Sequence, residues 1–199
     1  MYMGFKNIFK IFKTDKRIKI AKQFVNKKKY ILEIGVHEGK FSELLLNKFQ
    51  PQKMYLVDPW KYESDFIYKK ALYGGNFSSL EGQKILDDRY EKVKLKFQKQ
   101  IKSGQISLIR KSSDEVFKLF EDNFFDFIYI DGNHTFEYVK ADIANSLKKI
   151  KDEGVIICDD YGNVGWWEDG VSKAVNQLCN ENIVKKIFVK NSQCVLKKI

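Results

Sequence analysis

Short apolar segments alternate with amphipathic segments between residues 30 and 180, and this alternation predicts the elements of the fold. The apolar segments are rich in isoleucine, valine and aromatic residues, which favours buried β-strands, and the segments between them have helical spacing. The predicted strands are 30–35, 53–58, 106–111, 125–131 and 154–160, and the predicted helices are 40–49, 79–101, 113–121, 135–150 and 167–180. Such an alternation predicts an α/β fold with a parallel sheet and helices on both faces.

The C-terminal segment departs from this alternation. Two strand-like segments, 182–190 and 193–199, are joined by a polar turn at Asn191 and Ser192, with no helix between them. Because a two-residue connection joins antiparallel strands, these segments predict a hairpin at one edge of the sheet. The predicted fold is therefore a Rossmann-like, mostly parallel sheet with an antiparallel edge hairpin.

The composition is that of a folded protein with one main domain. The chain has 199 residues, of which 44% are hydrophobic and 15% aromatic. No apolar segment approaches the roughly 20 residues that a membrane-spanning helix needs, and the N-terminus lacks the apolar core of a secretory signal. The three cysteines, Cys158, Cys179 and Cys194, lack C-x-x-C spacing. They favour reduced thiols and a cytoplasmic location.

The net charge of +10 belongs almost entirely to the N-terminal segment. Residues 1–29 contain ten lysines and arginines and one acid, Asp15, so this segment carries +9 and residues 30–199 carry +1. We therefore divide the chain into a basic amphipathic arm, 1–29, and a nearly neutral domain, 30–199.

Helical spacing in the arm leaves its role open. One apolar face is formed by Phe5, Ile8, Phe9 and Phe12, and a second helix, capped by Thr14, would bury Ile18, Ala21 and Val25. The first interpretation is a helix docked on the core or on a partner subunit of a homodimer, with its lysines in water. The alternatives are peripheral contact with an anionic membrane and binding of a polyanion.

Acidic residues follow four of the five predicted parallel strands. In open parallel sheets, ligands bind beyond the carboxyl ends of the strands. The residues at those ends are Glu33 and Gly35, then Asp58, then Lys111, Ser112 and Ser113, then Asp131, and finally Asp159 and Asp160. So many acids at one edge of a nearly neutral domain indicate a ligand site.

The first strand end favours a cationic cofactor over a dinucleotide. A dinucleotide fingerprint would have glycines at 35, 37 and 40, but positions 37 and 40 are His37 and Lys40. Glu33 would also repel a pyrophosphate. S-adenosylmethionine (SAM) has a sulfonium, an amino group that Glu33 suits, and a ribose diol that Asp58 suits.

Four segments together carry a family resemblance. They are LEIGVHEGKFS, YLVDPW, FDFIYIDGNHTFEYVKADI and GVIICDDYG. Over about residues 30–180 the chain resembles the class I SAM-dependent methyltransferases. Within that class it is most similar to the small metal-dependent O-methyltransferases that act on sugars and natural products, and more distantly to catechol O-methyltransferases. The resemblance implies a seven-stranded sheet with an antiparallel final strand.

The resemblance also implies roles for individual residues. The residues expected along the methionine and its turn are Glu33, Gly35, His37, Gly39 and Ser42. Those expected at the ribose are Asp58, Pro59 and Trp60. Ser112 and Ser113 are expected at the adenine, and Asp131 is also expected to contact the cofactor. Lys111 stands where relatives commonly have a glycine, which departs from the family pattern.

Asp131, Asp159 and Asp160 end neighbouring predicted strands and should converge. Three close carboxylates repel one another unless a cation lies among them, and an oxygen-only set suits Mg²⁺ or another divalent cation. The resemblance implies that this ion chelates the acceptor hydroxyls. The alternative is a polar cap for the following loop and helix. Asp131 and His134 are the candidate bases, and the alternative for His134 is a structural or cofactor contact.

The predicted function is methylation of a hydroxyl of a sugar or related small molecule. The long connection 60–104 is the predicted acceptor-side insertion, and Tyr161, Trp166 and Trp167 offer aromatic surfaces for a ring. One alternative is a phenol or catechol O-methyltransferase. The other is a nucleic-acid-associated protein that binds phosphates through 1–29.

Overall fold

A computed structural model describes residues 15–27, 29–65, 70–71, 73 and 78–199. The predicted apolar face of Phe5, Ile8, Phe9 and Phe12 lies outside the described residues. The strands are β1 (Tyr30–Ile34), β2 (Lys53–Val57), β3 (Ile106–Ile109), β4 (Phe125–Ile130), β5 (Ile150–Cys158), β6 (Val184–Lys190) and β7 (Gln193–Lys198). The helices are α1 (Lys16–Phe24), α2 (Lys40–Phe49), α3 (Ser79–Lys96), α4 (Gln98–Lys102), α5 (Ser113–Phe117), α6 (Phe136–Lys149) and α7 (Gly170–Asn180).

The strands form one seven-stranded sheet in the order β3-β2-β1-β4-β5-β7-β6. Strands β1 to β5 are parallel, and β7 is antiparallel to both β5 and β6. Asn191 and Ser192 both have positive φ, 49° and 60°, as a two-residue hairpin turn requires. The predicted sheet and its edge hairpin are confirmed, although β5 begins at Ile150, four residues earlier than predicted.

Alternate residues of the central strands face two separate hydrophobic cores. On β4, Phe127 and Tyr129 pack with residues of α1, α2 and α3, whereas Ile128 and Ile130 pack with residues of α5, α6 and α7. A strand that is buried on both faces needs an almost continuous apolar sequence, and all six residues of β4 are buried. The prediction of helices on both faces is confirmed.

Helix α1 is part of the first core. It buries Ile18, Ile20 and Ala21, and Val25 just after it is 4% exposed. The N-cap is Asp15 rather than the predicted Thr14, because the Asp15 carboxylate accepts a hydrogen bond of 2.8 Å from the backbone N of Arg17. The described part of the basic segment is thus a docked helix. None of the helices formed by the described residues is both long and apolar enough to span a bilayer.

Candidate active site

The carboxyl ends of the parallel strands open into a cavity of about 760 Å³. Its size falls within the range of about 300–1,000 Å³ that is common for small-molecule sites. The predicted site residues that line it are Glu33, Gly35, His37, Asp58, Pro59, Ser112, Ser113, Asp131, His134 and Asp160. The described part of the predicted insertion contributes Lys61, Glu63, Ala71 and Tyr73.

Gly35 allows β1 and β4 to meet at the floor of this cavity. Its φ is +88°, and a Cβ at this position would overlap the carbonyl group of Asp131. The two strand ends are joined by the backbone N of Asp131, which donates to the carbonyl oxygen of Ile34 at 2.8 Å. Only glycine fits this position, because both the positive φ and the close approach exclude a side chain.

Gly39, Ser42 and Trp60 lie behind the cavity wall rather than in it. A Cβ on Gly39 would lie 2.9 Å from the ring of Phe97, so this glycine is needed for packing. Trp60 is completely buried, and its indole nitrogen donates to the carbonyl oxygen of His37 at 3.0 Å. Gly39 and Trp60 therefore support the loop between β1 and α2.

Glu33 is a buried acid that the protein only partly satisfies. Its side chain is 1% exposed, and burial raises its pKa to about 8, although the nearby hydroxyl of Ser42 acts against this rise. Among the described residues, its Oε2 atom has no hydrogen-bond partner. A buried carboxylate oxygen without a partner is costly, and a cationic ligand in the cavity would satisfy it.

Asp58 fastens the loop between β1 and α2 to the end of β2. Its Oδ2 accepts hydrogen bonds from the backbone N atoms of Val36 at 3.0 Å and His37 at 2.9 Å. Its Oδ1 accepts from the backbone N of Trp60 at 2.9 Å and from the hydroxyl of Tyr73. Both oxygens are therefore engaged by the protein, which the sequence did not indicate.

Near the end of β3 the structure brings together Ser113, which the sequence predicted as a site residue, and Asp142, which it did not. Ser112 caps α5 through a reciprocal pair of bonds with Glu115. The Ser113 hydroxyl lies 2.5 Å from Oδ1 of Asp142, a residue of α6 that also lines the cavity. Burial raises the pKa of Asp142 to about 7, although the hydrogen bond from Ser113 acts against it. Asp142 was missed because it lies inside a helix pattern, remote from the strand ends.

His134 joins two of the three predicted acids. Its Nε2 lies 3.3 Å from Oδ1 of Asp131, and its Nδ1 lies 3.4 Å from Oδ2 of Asp160. Burial acts to lower the pKa of His134, but the neighbouring carboxylates outweigh burial, and the pKa is raised. The ring also makes an edge contact with Trp167, with centroids 4.9 Å apart. Trp166 and Trp167 line the cavity and precede α7, so Trp167 lies in the loop rather than at the start of the helix predicted for 167–180.

Asp159 is hydrogen-bonded to side chains of the sheet. Its Oδ2 accepts a hydrogen bond of 2.9 Å from the hydroxyl of Tyr129, and its Oδ1 accepts from the backbone N of Asp160 at 2.8 Å and from the side chain of Gln193. Asp159 thus holds the end of β5 against β7, and it does not line the cavity.

Arg17 of α1 is a second residue of this site that sequence reasoning missed. Its Nη1 lies 3.5 Å from Oδ2 of Asp131 and 3.4 Å from Oδ2 of Asp159. The sequence held a signal, since only three arginines occur among the 36 lysines and arginines of the chain. Arginine offers a rigid fork of donors for paired carboxylates, so a rare arginine in a lysine-rich chain indicates a fixed contact.

The acid cluster in this arrangement does not fit the predicted divalent cation. Mg²⁺ requires oxygen ligands at about 2.0–2.1 Å in near-octahedral geometry. The oxygens that would serve are instead in contact with Arg17, His134, Tyr129 and Gln193. Within the part of the chain that the structure describes, no group of three or more His, Cys, Asp and Glu side chains is arranged to hold a metal ion.

Comparison with known proteins identifies the class. A parallel sheet with this strand order and an antiparallel seventh strand, with a cavity at its carboxyl edge, is the class I SAM-dependent methyltransferase fold. A family model described as "Methyltransferase domain" matches residues 32–161. The chain belongs to this family, and it is a SAM-dependent methyltransferase. No curated protein sequence matches it.

Solved structures of low sequence identity share the fold. The O-methyltransferase NovP is 15% identical, with a TM-score of 0.64 over 92% of this chain and 79% of that chain. The SAH-bound methyltransferase PaMTH1 from Podospora anserina is 16% identical, with a TM-score of 0.60 over 92% and 76%. An rRNA methylase from Streptococcus thermophilus is 9% identical, with a TM-score of 0.57 over 92% and 94%.

Proposed function

We propose that this protein transfers a methyl group from SAM to a hydroxyl of a small molecule, a sugar or a related compound. The observation that carries the cofactor part is the buried Glu33 carboxylate, whose Oε2 lacks a partner among the described residues. The protonated amino group of the methionine moiety supplies the cation that this carboxylate needs. SAM supplies an electrophilic methyl group when it is bound.

The rest of the cavity suits the other parts of SAM. His37 and Pro59 line the cavity beside Asp58, at the place proposed for the ribose. Since both oxygens of Asp58 already accept hydrogen bonds, a ribose diol would exchange for the Tyr73 hydroxyl. Ser113 and Asp142 offer a hydroxyl and a carboxyl group for the adenine.

Acceptor activation is assigned to His134, assisted by Asp131. The two side chains meet at the cavity, where the ring nitrogens of His134 lie 3.3 Å from Asp131 and 3.4 Å from Asp160. In its neutral form the ring carries its proton on Nδ1, toward Asp160, so that Nε2, which has no hydrogen-bond partner among the described residues, accepts the proton that the acceptor hydroxyl loses. The two carboxylates then stabilise the imidazolium that forms. Trp167 and Trp166 next to it offer aromatic faces to a ring-shaped acceptor. This proton transfer needs no divalent metal ion, because the Arg17 guanidinium already contacts Asp131 and Asp159.

Calorimetric titration with SAM is the test of this proposal. The wild-type protein is expected to bind one SAM, and Glu33→Gln is expected to bind it at least about tenfold more weakly because the amide carries no charge. Glu43→Gln on the exposed face of α2 is the matched control and should bind as the wild type does. A wild-type protein that binds no SAM contradicts the proposal, and undiminished binding by Glu33→Gln contradicts the role of Glu33.

The raised pKa of Glu33 makes a second prediction about pH. Below about pH 8 the free protein carries a protonated Glu33, and an ammonium group favours the ionised form, so binding must release a proton. The SAM affinity of the wild type should therefore rise by up to about tenfold per pH unit as the pH increases toward 8. In Glu33→Gln this rise should disappear. Titrations in buffers of different ionisation enthalpy count the proton directly, and a count of zero at neutral pH contradicts the prediction.

A third prediction concerns the acceptor. When the protein is screened for methyl transfer to nucleotide sugars and to catechols, sugar hydroxyls are expected to accept the methyl group. His134→Asn should then lower kcat by about a hundredfold or more, as removal of a general base does, with SAM affinity unchanged in calorimetry. Turnover of catechols alone would favour the phenol or catechol alternative. A His134→Asn variant with wild-type kcat would contradict base catalysis by His134 and favour the alternative, a structural or cofactor contact.

A further inference from the structure

The acid cluster contains a positive charge that comes from outside the methyltransferase sheet. Arg17 lies on α1, and its Nη1 contacts Asp131 at 3.5 Å and Asp159 at 3.4 Å. These carboxylates follow β4 and β5, so one guanidinium bridges two neighbouring strand ends. In the sequence, the same two acids predict a cation between them, since like charges at this distance repel.

The Arg17 guanidinium is held in place by groups other than these two acids. Asp15, the N-cap of α1, lies 3.0 Å from its Nη2 and 3.2 Å from its Nε. The ring of Phe41 lies below it, with the guanidinium carbon 4.2 Å from the ring centre. An arginine fixed on several sides loses little further entropy when it contacts its carboxylates, which favours a permanent contact.

The remaining acid of the cluster is also neutralised within the protein. Oδ2 of Asp160 faces His134, and its Oδ1 accepts a hydrogen bond of 2.6 Å from the side chain of Asn163. The cluster therefore consists of carboxylates that are each engaged by a protein donor. A divalent ion would have to displace Arg17 to reach Asp131 and Asp159 together.

We infer that Arg17 is the resident cation of the acceptor site and takes the place of a divalent metal ion. It is a positioning residue: it keeps Asp131 and Asp159 at fixed positions, and Asp131 in turn lies 3.3 Å from Nε2 of His134. The inference rests on the proposed function only in its account of what the site does, because the exclusion of a metal ion is measured without cofactor or acceptor.

Binding of Mn²⁺ alone, followed by the electron paramagnetic resonance signal of the free ion, tests this inference. The wild type should leave the signal unchanged through the millimolar range. Arg17→Ala should bind one Mn²⁺ at least about tenfold more tightly than the wild type, because carboxylates freed of their counter-charge attract a cation. Arg17→Lys, which keeps the charge, should exclude Mn²⁺ as the wild type does. Lys19→Ala, an exposed position on the same helix, is the charge-matched control.

Two results would overturn the inference. One is a wild-type protein with a sub-millimolar Mn²⁺ site that Asp159→Asn abolishes. The other is a folded Arg17→Ala that binds Mn²⁺ no better than the wild type. If Arg17→Ala fails to fold, Arg17→Gln keeps hydrogen-bond donors, removes the charge and carries the same expectation. SAM binding is measured separately, so exclusion of Mn²⁺ by a protein that binds no SAM would contradict the proposed function and leave the inference standing.

Discussion

Replacing Gly35 by alanine is expected to lower the free energy of unfolding by about 3 kcal/mol or more, because strain and overlap add. The strain arises because the φ of +88° at this position disfavours a residue with a Cβ. The overlap arises because that Cβ would fall on the carbonyl group of Asp131, which is backbone and cannot rotate away. Since β1 and β4 must separate, the SAM affinity should fall as well. Denaturant unfolding and calorimetry measure the two effects.

Gly104→Ala is the matched control for this prediction. Gly104 also has a positive φ, +78°, but a Cβ there would meet nothing within 4 Å. It should therefore show the backbone strain alone, about 1–2 kcal/mol, with SAM affinity unchanged. If the two alanine variants lose equal stability, close approach at Gly35 is not the reason for the glycine.

The sheet could be predicted because its strands are buried on both faces. A strand such as β4, with all six residues buried, has to be apolar throughout, and it therefore stands out from the amphipathic helices around it. The hairpin could also be predicted from the sequence, since Asn191 and Ser192 are residues that tolerate a positive φ. The start of β5 was missed because Ile150 follows α6 directly, so no turn residue separates helix from strand.

The site could be predicted only where it depends on strand ends. Topology brings the carboxyl ends of parallel strands together, so Glu33, Asp58 and Asp131 could be placed at one cavity from the sequence. Arg17 and Asp142 lie on helices, and their positions depend on how each helix packs, which spacing along the chain does not contain. The predicted metal ion illustrates the consequence. The acids predict a cation between them, and the positive group that the structure places against Asp131 and Asp159 is Arg17.

The structure also gives Asp58 a structural role that the sequence did not predict. A carboxylate that served only the ribose would have an oxygen free to accept hydrogen bonds from the diol. Asp58 is instead 2% exposed and accepts three backbone hydrogen bonds. Its carboxylate therefore acts first on the protein. It holds Val36 and His37 of the cofactor loop to Trp60 after β2, and thereby shapes the wall along which SAM is proposed to bind.

Replacing Asp58 by alanine is therefore expected to destabilise the protein even without cofactor. The backbone N–H groups of Val36, His37 and Trp60 would lose their common acceptor, and leaving buried donors unsatisfied should lower the free energy of unfolding by about 3 kcal/mol or more. Because the loop loses its shape, SAM affinity should fall at least about tenfold. Denaturant unfolding of the SAM-free protein is the decisive measurement.

Two further variants separate the explanations for Asp58. Asp58→Asn should rescue stability only in part, because its amide nitrogen would face backbone N–H donors on one side of the carboxylate position. Asp152→Ala, whose side chain is 89% exposed, removes the same group from the surface and should leave stability within about 0.5 kcal/mol of the wild type. If Asp58→Ala unfolds as the wild type does without SAM and yet fails to bind SAM, the carboxylate serves the cofactor alone. The loss of stability in the SAM-free protein is thus the result that distinguishes a structural acceptor from a ribose ligand.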